Sequence, residues 1–305
     1  MGVSGAPEYG SLFAIGKPGR AATQLPPGPP PARIGLADIE LSAASLPGMA
    51  IRAASSRGLQ HRAIGLVRQD AFALGRHVST EGNEHAVAVV CDGVGSLHRS
   101  DEAATLVSRR LAAAGASGES WPEAFGRVNE ELRKASEQDA EFDADAAPAL
   151  TMATTAVAAS VRRDGAIWVG DVAWVGDSSC WHLDDVGQWT LIAGGNTHDE
   201  DSAYASTRVR PLPSRDGRCE RRAVRLAGGA LFLMSDGVGT PMQWSQEVRE
   251  TLASWWARPP DPFAFAAQAG FARRGEMDDR TVVGIWGGDR DGSREEEPGT
   301  TRPAG

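Results

Sequence analysis

The stretch AVAVVCDGVGS, residues 86–96, is an apolar run that stops abruptly at Asp92 and Gly93. A short apolar run bounded by a turn signal predicts a buried strand, and an Asp-Gly pair after a strand is usually a plain turn. The same design recurs in ALFLMSDGVGT, residues 230–240, where an apolar run ends in Asp-Gly-Val-Gly from Asp236. Because two strands end in the same four residues, we interpret the two turns as parts of one site.

Two other acidic positions lie at strand ends. Asp70 begins a predicted strand, and the pair Asp278-Asp279 stands immediately before the strand TVVGIWG. A cluster of short aspartates, which offers oxygen ligands, suits a hard divalent ion such as Mg²⁺ or Mn²⁺. A glycine beside an aspartate lets a carbonyl group, a water molecule or a substrate come close. Two ions bridged by one carboxylate can hold a hydroxide for in-line attack on a phosphoryl group.

Composition limits the class of protein and its partners. The chain has 305 residues, of which 41% are hydrophobic, which is ample for a large core. A formal charge of −9 argues against nucleic acid or an anionic membrane as a partner, because binding to a polyanion draws on a basic surface. No apolar run approaches the ~20 residues that cross a bilayer, and the N-terminus lacks the features of a signal peptide. We therefore expect a cytoplasmic monomer.

The cysteines indicate neither a disulfide framework nor a zinc site. The chain has three, Cys91, Cys180 and Cys219, and their spacing is not paired.

The ends of the chain differ from its middle. Residues 1–40 are rich in proline and poor in large apolar residues, which predicts a disordered arm. Residues 289–305 have the same character and predict a disordered tail. The remaining residues, 41–288, have the size of one domain with a single extended core.

Inside this domain, strands and helices come in blocks. Apolar patterns predict strands at 49–56, 70–78, 85–92, 151–163, 166–177, 178–185, 188–193, 219–227, 230–236 and 280–287. Amphipathic spacing and start signals predict helices at 100–115 and 121–138, and one or two more within 243–273. The four consecutive strands between 151 and 193 are interpreted as a meander. Strand blocks that alternate with helix pairs favour antiparallel sheets covered by helices.

The recurring turns also carry a family resemblance. Six segments, in order along about 230 residues, resemble the metal-dependent protein serine/threonine phosphatases, the PPM or type 2C family, and within it a bacterial branch. They are GLQHRAIGLVRQDAFAL (58–74), VVCDGVGSLHRSDEAA (89–104), TMATTAVAA (151–159), AWVGDSS (173–179), LFLMSDGVG (231–239) and MDDRTVVGI (277–285). The resemblance implies an α+β fold, a four-layer α-β-β-α sandwich of two antiparallel sheets flanked by helices. It also implies a dinuclear Mn²⁺ or Mg²⁺ centre that activates water to hydrolyse phosphoserine and phosphothreonine in proteins.

The resemblance assigns expected roles residue by residue. Asp92 would bridge the two ions, and the carbonyl of Gly93 would bind one of them. Asp236 and Asp278 would hold the other ion. Asp70 would orient metal-bound water by hydrogen bonds, the kind of support that metal sites usually need. The strand end at 176–178 is expected to support the structure rather than to supply a ligand. A third ion in some bacterial members uses an acidic residue, for which Asp143 or Asp145 is a candidate beside the alternative that this stretch is a solvated charge run.

Several positions depart from the family pattern. Arg68 stands where many relatives have Asn, Ala153 replaces a Gly, Ser179 replaces an Arg, and Asp279 replaces a frequent Asn. None of these changes removes an expected metal ligand. Val94 occupies the place of the general-acid His of eukaryotic relatives, so that proton donation to the leaving oxygen falls to water or another group.

The residue that binds phosphate is left open by the sequence. Many relatives carry an Arg five residues before the Asp70 position, where this chain has Gly65. His61, Arg62 and Arg68 are the candidate phosphate-binding residues, although a lone His is more often structural.

Two alternatives to an active metal-dependent phosphatase remain. One is a catalytically weak relative that senses or scaffolds a phosphorylated partner. The departures from the family pattern favour this alternative. The other is a cysteine-dependent phosphatase, because Cys219 and Arg225 match C-x-x-x-x-x-R by spacing. The intervening residues contain no Gly and run into a predicted strand, whereas such a loop should curl its amides around phosphate at a helix N-terminus.

Overall fold

A computed structural model of the chain describes residues 13–19, 28–31, 35–140, 151–195 and 210–287. These residues form two antiparallel sheets with helices on both outer sides. The strands are β1 (Ile39–Leu46), β2 (Met49–Ser56), β3 (Ala71–Val78), β4 (Glu84–Gly93), β5 (Thr154–Asp164), β6 (Ile167–Val175), β7 (Ser179–Leu183), β8 (Trp189–Ala193), β9 (Glu220–Ala227), β10 (Ala230–Met234) and β11 (Arg280–Gly287). The helices are α1 (Leu59–Ile64), α2 (Ser100–Ser117), α3 (Trp121–Ala140), α4 (Asp236–Trp244), α5 (Gln246–Trp256) and α6 (Pro262–Ala269).

The strand order defines the two sheets. One has six strands in the order β1-β2-β11-β10-β7-β8, and the other has five in the order β3-β4-β5-β6-β9. Helices α2 and α3 cover the five-stranded sheet, while α4, α5 and α6 cover the six-stranded sheet. The α-β-β-α sandwich expected from the resemblance is confirmed.

The packing of alternate residues of β4 explains why its central part, residues 86–91, is apolar throughout. Val87, Val89 and Cys91 pack against α2 and α3, whereas the intervening Ala86, Ala88 and Val90 pack against the facing sheet. Successive side chains of a strand point to opposite faces, so a strand covered on both faces carries no polar position. β10 follows the same rule in the other sheet, with Leu231 and Leu233 turned inward.

The predicted meander over 151–193 is wrong. β5 pairs with β6 in the five-stranded sheet, and β7 pairs with β8 in the six-stranded sheet, so the chain changes sheets between them. Gly176 lies in this crossing with a φ of 90°, a conformation that favours glycine. Both hairpins have the same apolar pattern, and the pattern carries no information on which sheet each one joins.

Three elements differ from the sequence prediction. β1 and α1 were not predicted, since the residues of β1 are largely exposed and α1 has only six residues. The strand predicted to run to Asp236 ends at Met234, and α4 begins at Asp236. A carboxylate in the first turn of a helix is stabilised by the helix dipole, which favours this boundary.

Part of the predicted N-terminal arm packs onto the domain. Within 1–40, residues 13–19 lie beside the six-stranded sheet's helices, and Ile15 is 2% exposed in that core. The N–H of Ile15 donates to the carbonyl of Ala272 at 3.1 Å. Burial of this apolar side chain offsets part of the entropy cost of ordering the segment. The prediction of disorder is therefore wrong for 13–19. Residues 1–12, 20–27 and 32–34, and the predicted tail 289–305, lie outside the described residues.

Within the described ranges, none of the helices has both the length and the apolar character needed to cross a membrane.

Candidate metal centre

Strand pairing brings the four expected acidic residues to one edge of the sandwich. Ala71 of β3 is paired with Cys91 of β4, so that Asp70 and Asp92 lie at the same end of the five-stranded sheet. In the other sheet, Met234 of β10 is paired with Val282 of β11, which places Asp236 and Asp278 at a common end. Asp236 and Asp278, 42 positions apart in sequence, thus become neighbours because antiparallel strands return to the same edge.

Glycines beside two of the aspartates allow close backbone approach. A Cβ on Gly237 would lie 2.0 Å from the carbonyl oxygen of Asp279, and one on Gly93 would lie 2.7 Å from the carbonyl oxygen of Gln69. Neither distance is compatible with a side chain. The glycines therefore let the loop before β11 and the segment before β3 come close to the aspartates. Close approach of this kind is what a glycine beside an aspartate permits.

The carboxyl groups of Asp92 and Asp236 lie close enough to influence each other directly. Burial raises the pKa of Asp92 well above its ordinary value, and the charges of Asp236 and Asp70 raise it further. Burial also raises the pKa of Asp236 to about 6, against the opposing effect of its contact with Asp92. Two carboxyl groups in such contact need a proton or a cation between them, because two unshielded negative charges repel strongly in a buried site.

Asp70 is buried deeper than its neighbours and is only 2% exposed. Its side chain is hydrogen-bonded to Ser235, and burial, followed by the charge of Asp279, raises its pKa well above the ordinary value. Within the described residues, its Oδ2 atom has no hydrogen-bond partner. A buried carboxylate oxygen without a donor is costly, and an ion-bound water would satisfy it.

Asp278 lies at the exposed side of the same cluster. Desolvation by the atoms around it raises its pKa, and the N–H of Asp279, which donates to Asp278 Oδ1 at 2.8 Å, opposes this effect. The negative charge of Asp278 in turn raises the pKa values of Asp70, Asp92 and Asp236. The four expected carboxylates therefore form one electrostatically linked group.

Asp279 is the residue that ties this edge together. Its Oδ1 accepts from the N–H of Gly58 at 2.6 Å and contacts Nδ1 of His61 at 3.0 Å, and its Oδ2 accepts from the N–H of Gln69 at 2.6 Å. It is 2% exposed. The carboxylate thus joins α1 and the segment before β3 to the loop that carries Asp278.

His61 takes part in the tightest set of ligand-type atoms. Atoms of His61, Asp278 and Asp279 all lie within 4.8 Å of one another, which is a spacing that could hold a metal ion. Burial lowers the pKa of His61, but the hydrogen bond to Asp279 and the charges of Asp279, Asp278 and Asp70 outweigh it, so that the net pKa is raised. Because both oxygens of Asp279 already accept hydrogen bonds from the protein, we interpret His61 and Asp279 as support for Asp278.

The residues present fit hard divalent cations. The donors are carboxylate oxygens, which Mg²⁺ and Mn²⁺ prefer. The carboxyl pair Asp92–Asp236 requires a positive species between its members, and the unpartnered Oδ2 of Asp70 requires a donor. Both requirements would be met by cations with bound water.

The candidate phosphate-binding residues have separate environments. Arg68 is fully buried at 0% exposure, donates to the carbonyl of Ser55 at 3.1 Å, and pairs with Glu40 at 2.6 Å. Arg68 thus joins β1 to β2, and we interpret it as a structural residue rather than a phosphate ligand. The His61 side chain contacts Asp279, and Arg62 borders a cavity.

Other expected positions have structural contacts. Ser178 shares a 2.6 Å hydrogen bond with Thr155, and the carbonyl of Ala153 accepts from the N–H of Val94 at 3.0 Å. The Ser179 hydroxyl accepts from Trp181 Nε1 at 3.1 Å. The contact with Trp181 gives the Ser179 side chain a structural role. Asp143 and Asp145, the candidates for a third ion, lie outside the described residues.

Two residues of this edge were not given a site role from the sequence. Asp177, expected only as support, is near enough to act electrostatically on Asp236 and Asp278, and burial raises its own pKa. Asp279 appeared as a member of the Asp278-Asp279 pair and as a departure from Asn, without a role of its own. The sequence signal for both was an acidic residue at a strand end, the same signal that identified the other four.

A protein-family model described as Protein phosphatase 2C matches residues 57–268. Among solved structures, a bacterial serine phosphatase aligns with a TM-score of 0.54 and 14% identity over 77% of this chain and 96% of its own. The serine/threonine phosphatase Stp1 of Staphylococcus aureus aligns with a TM-score of 0.51 and 13% identity over 83% and 96%. PppA of Pseudomonas aeruginosa, described as a regulatory component of T6SS, aligns with a TM-score of 0.52 and 20% identity over 81% and 100%. At these identities the structures show a shared fold. No curated protein sequence matches the chain significantly.

Proposed function

This chain belongs to the protein phosphatase 2C family, and we propose that it hydrolyses phosphoserine and phosphothreonine in proteins at a dinuclear centre held by Asp92, Asp236 and Asp278. The observation that carries the proposal is the convergence of the carboxyl groups of Asp92 and Asp236 at one edge of the sandwich. Such a pair, buried beside two further carboxylates, is costly to fold unless it binds something positive. The cations expected are Mn²⁺ or Mg²⁺.

The chain's own residues would divide the work by position. Asp92, with the Gly93 carbonyl, Asp236 and Asp278 would hold the ions. When bound, the ions would lower the pKa of a water molecule and offset the charge of the phosphoryl group. Asp70, fixed by Ser235, would orient water through its free Oδ2.

His61 and Asp279 would position Asp278 rather than touch the reacting atoms. The contact between His61 Nδ1 and Asp279 fixes the imidazole ring. The N–H of Asp279 holds Asp278 Oδ1. A ligand whose orientation is fixed in this way binds its ion more tightly than a free one, which is the usual effect of such support.

The cysteine-dependent alternative finds no support in the structure. Burial raises the pKa of the Cys219 thiol, whereas a nucleophilic cysteine needs a lowered pKa. Arg225 lies in β9 and is paired in register with Val169 of β6, so that no phosphate loop connects the two residues. Cys219→Ser should therefore retain activity.

The proposal is tested by hydrolysis of para-nitrophenyl phosphate and of a phosphothreonine peptide, with Mn²⁺ and with chelator. Asp92→Asn should lower turnover by about two orders of magnitude or more, because loss of an ion ligand removes activation of the nucleophile. Asp164→Asn is the matched control, since Asp164 is 59% exposed on the protein surface. Activity of wild type that persists in chelator, or equal activity in both variants, would contradict the proposal.

A further inference from the structure

A cavity of about 290 Å³ opens directly beside Asp278. Three arginines from different elements line it. Arg57 follows β2, Arg62 lies on α1, and Arg280 begins β11. The cavity thus combines an edge of the candidate metal centre with an unusual concentration of guanidinium groups.

Each of the three arginines has a buried N–H group without an acceptor in the described part of the chain. The atoms are Nε of Arg57, Nε of Arg62 and Nη1 of Arg280. Arg280 itself is 5% exposed. Buried donors without acceptors are costly, and three of the seven unpaired buried side-chain atoms in the described residues belong to arginines that line this cavity.

The remaining contacts hold the arginines in place. Arg57 Nη1 pairs with Asp38 at 3.1 Å. The guanidinium of Arg280 stacks 4.2 Å above the centre of the Phe271 ring and donates to the carbonyl of Glu276 at 3.4 Å. The donors are therefore already oriented and partly stripped of water.

The charge balance of the cavity favours an anion. Three acidic residues also line it, namely Asp38, Glu276 and Asp278. Asp38 is paired with Arg57, and Asp278 would be neutralised by an ion in the proposed function. When the charges of Asp38 and Asp278 are balanced in this way, the two guanidinium groups of Arg62 and Arg280 face one carboxylate, that of Glu276.

The other walls are apolar. Phe271 and the small side chains of Ala266 and Ala267 form one side, and Ile39 lies at the rim with 62% exposure. A ligand that suits both surfaces has a short apolar stem and a planar anionic head. The carboxylate of a glutamate or aspartate side chain meets this description and matches the fork of a guanidinium.

We propose that this cavity, defined by Arg57, Arg62 and Arg280, is a substrate subsite for an acidic side chain next to the phosphorylated residue. The inference rests on the proposed function, since it places the acidic residue beside the phosphoryl group at Asp278. The enzyme would prefer phosphoproteins with Glu or Asp near the phosphorylation site.

The test compares phosphothreonine peptides that differ only by Glu or Gln at one position, with each flanking position taken in turn. Wild type should favour Glu over Gln in kcat/KM by about tenfold at one position, the size expected for a charge-assisted hydrogen bond. Arg62→Gln and, separately, Arg57→Gln should bring this ratio to about one. Arg76→Gln is the control, because Arg76 is 59% exposed in its side chain and remote in sequence from the cavity.

Three outcomes would overturn the inference while the proposed function stands. They are equal kcat/KM for all peptides in wild type, a Glu preference that survives in both cavity variants, and an equal loss for Glu and Gln peptides. The last would mean that the arginines bind the reacting phosphate. If wild type hydrolyses no peptide, the proposed function fails, and fluorescence anisotropy of the same labelled peptides decides the subsite. A Glu preference in binding that Arg62→Gln removes would support it, and equal binding would overturn it.

Discussion

Asp279→Asn tests whether the carboxylate of Asp279 holds this edge together. Both of its oxygens are used, one by Gly58 N–H and His61, the other by Gln69 N–H. An asparagine keeps one acceptor oxygen and turns an NH₂ group toward the other donor. In either orientation at least one buried backbone N–H loses its acceptor and faces a second donor.

The magnitude follows from the hydrogen bonds lost. With the amide oxygen toward Gly58 and His61, only the 2.6 Å bond from Gln69 N–H is broken. A buried N–H left without an acceptor costs about 1–3 kcal/mol, and bonds to a charged acceptor lie at the upper part of that range. We expect Asp279→Asn to lower the free energy of unfolding by about 2 kcal/mol. The pKa of His61 should fall as well, because the charge of Asp279 is among the causes that raise it.

Urea denaturation of the metal-free protein measures the first effect, and NMR titration of the His61 ring measures the second. Asp164→Asn, at an exposed carboxylate, is again the control. A loss of less than ~0.5 kcal/mol, the range of ordinary surface substitutions, would refute the reasoning. An unchanged pKa of His61 would show that the contact to Asp279 is not made.

Further predictions concern stability and local packing. Burial raises the pKa of Asp236 to about 6, above its value in the unfolded chain. The contribution of Asp236 to the stability of the metal-free protein is therefore fully present below about pH 4 and is lost as the pH rises through about 6. Asp236→Asn should accordingly stabilise the metal-free protein at pH 7 by ~2–3 kcal/mol in urea denaturation while removing Mn²⁺-dependent turnover, and a loss of stability would contradict this. Arg68→Ala should lower the free energy of unfolding by about 3 kcal/mol, because it empties a fully buried position and leaves the Ser55 carbonyl without its donor; an effect near zero would mean that the side chain is not buried. Gly237→Ala should lower both stability and turnover, because its Cβ would lie 2.0 Å from a backbone oxygen. Gly126→Ala is the control, since it lies at an open helical position and should be neutral or stabilising by up to ~1 kcal/mol. Equal melting temperatures for the two variants would disprove the close contact.

Most individual elements could be predicted from the sequence, because their cause is local. The apolar runs of β4 and β10 and the amphipathic spacing of α2 and α3 give each element its type without reference to the rest of the chain. The weak elements were missed for the same reason. β1 is mostly exposed, so its sequence carries no apolar period, and pairing with β2 makes it a strand.

The site could be predicted in part. The repeated Asp-Gly turns identified Asp92 and Asp236, the positions of Asp70 and Asp278 at two further strand ends identified those residues, and the family resemblance gave all four their expected roles. The roles of Arg68 and Asp279 could not be predicted, since each depends on which distant backbone groups face its side chain. An arginine next to a predicted site suggests phosphate binding in sequence, yet its partners in the structure are Ser55 and Glu40.

The sequence by itself determined most of the strands, the two outer helices α2 and α3, and the chemistry available at the strand ends, because propensity and periodicity act over a few residues. Only the tertiary structure decided that the two hairpins between 154 and 193 join different sheets. It also brought the carboxyl groups of Asp92 and Asp236 together and gathered three arginines around one cavity. These relations depend on strand order and on the packing of one sheet against the other, which arise from contacts between residues far apart in the chain.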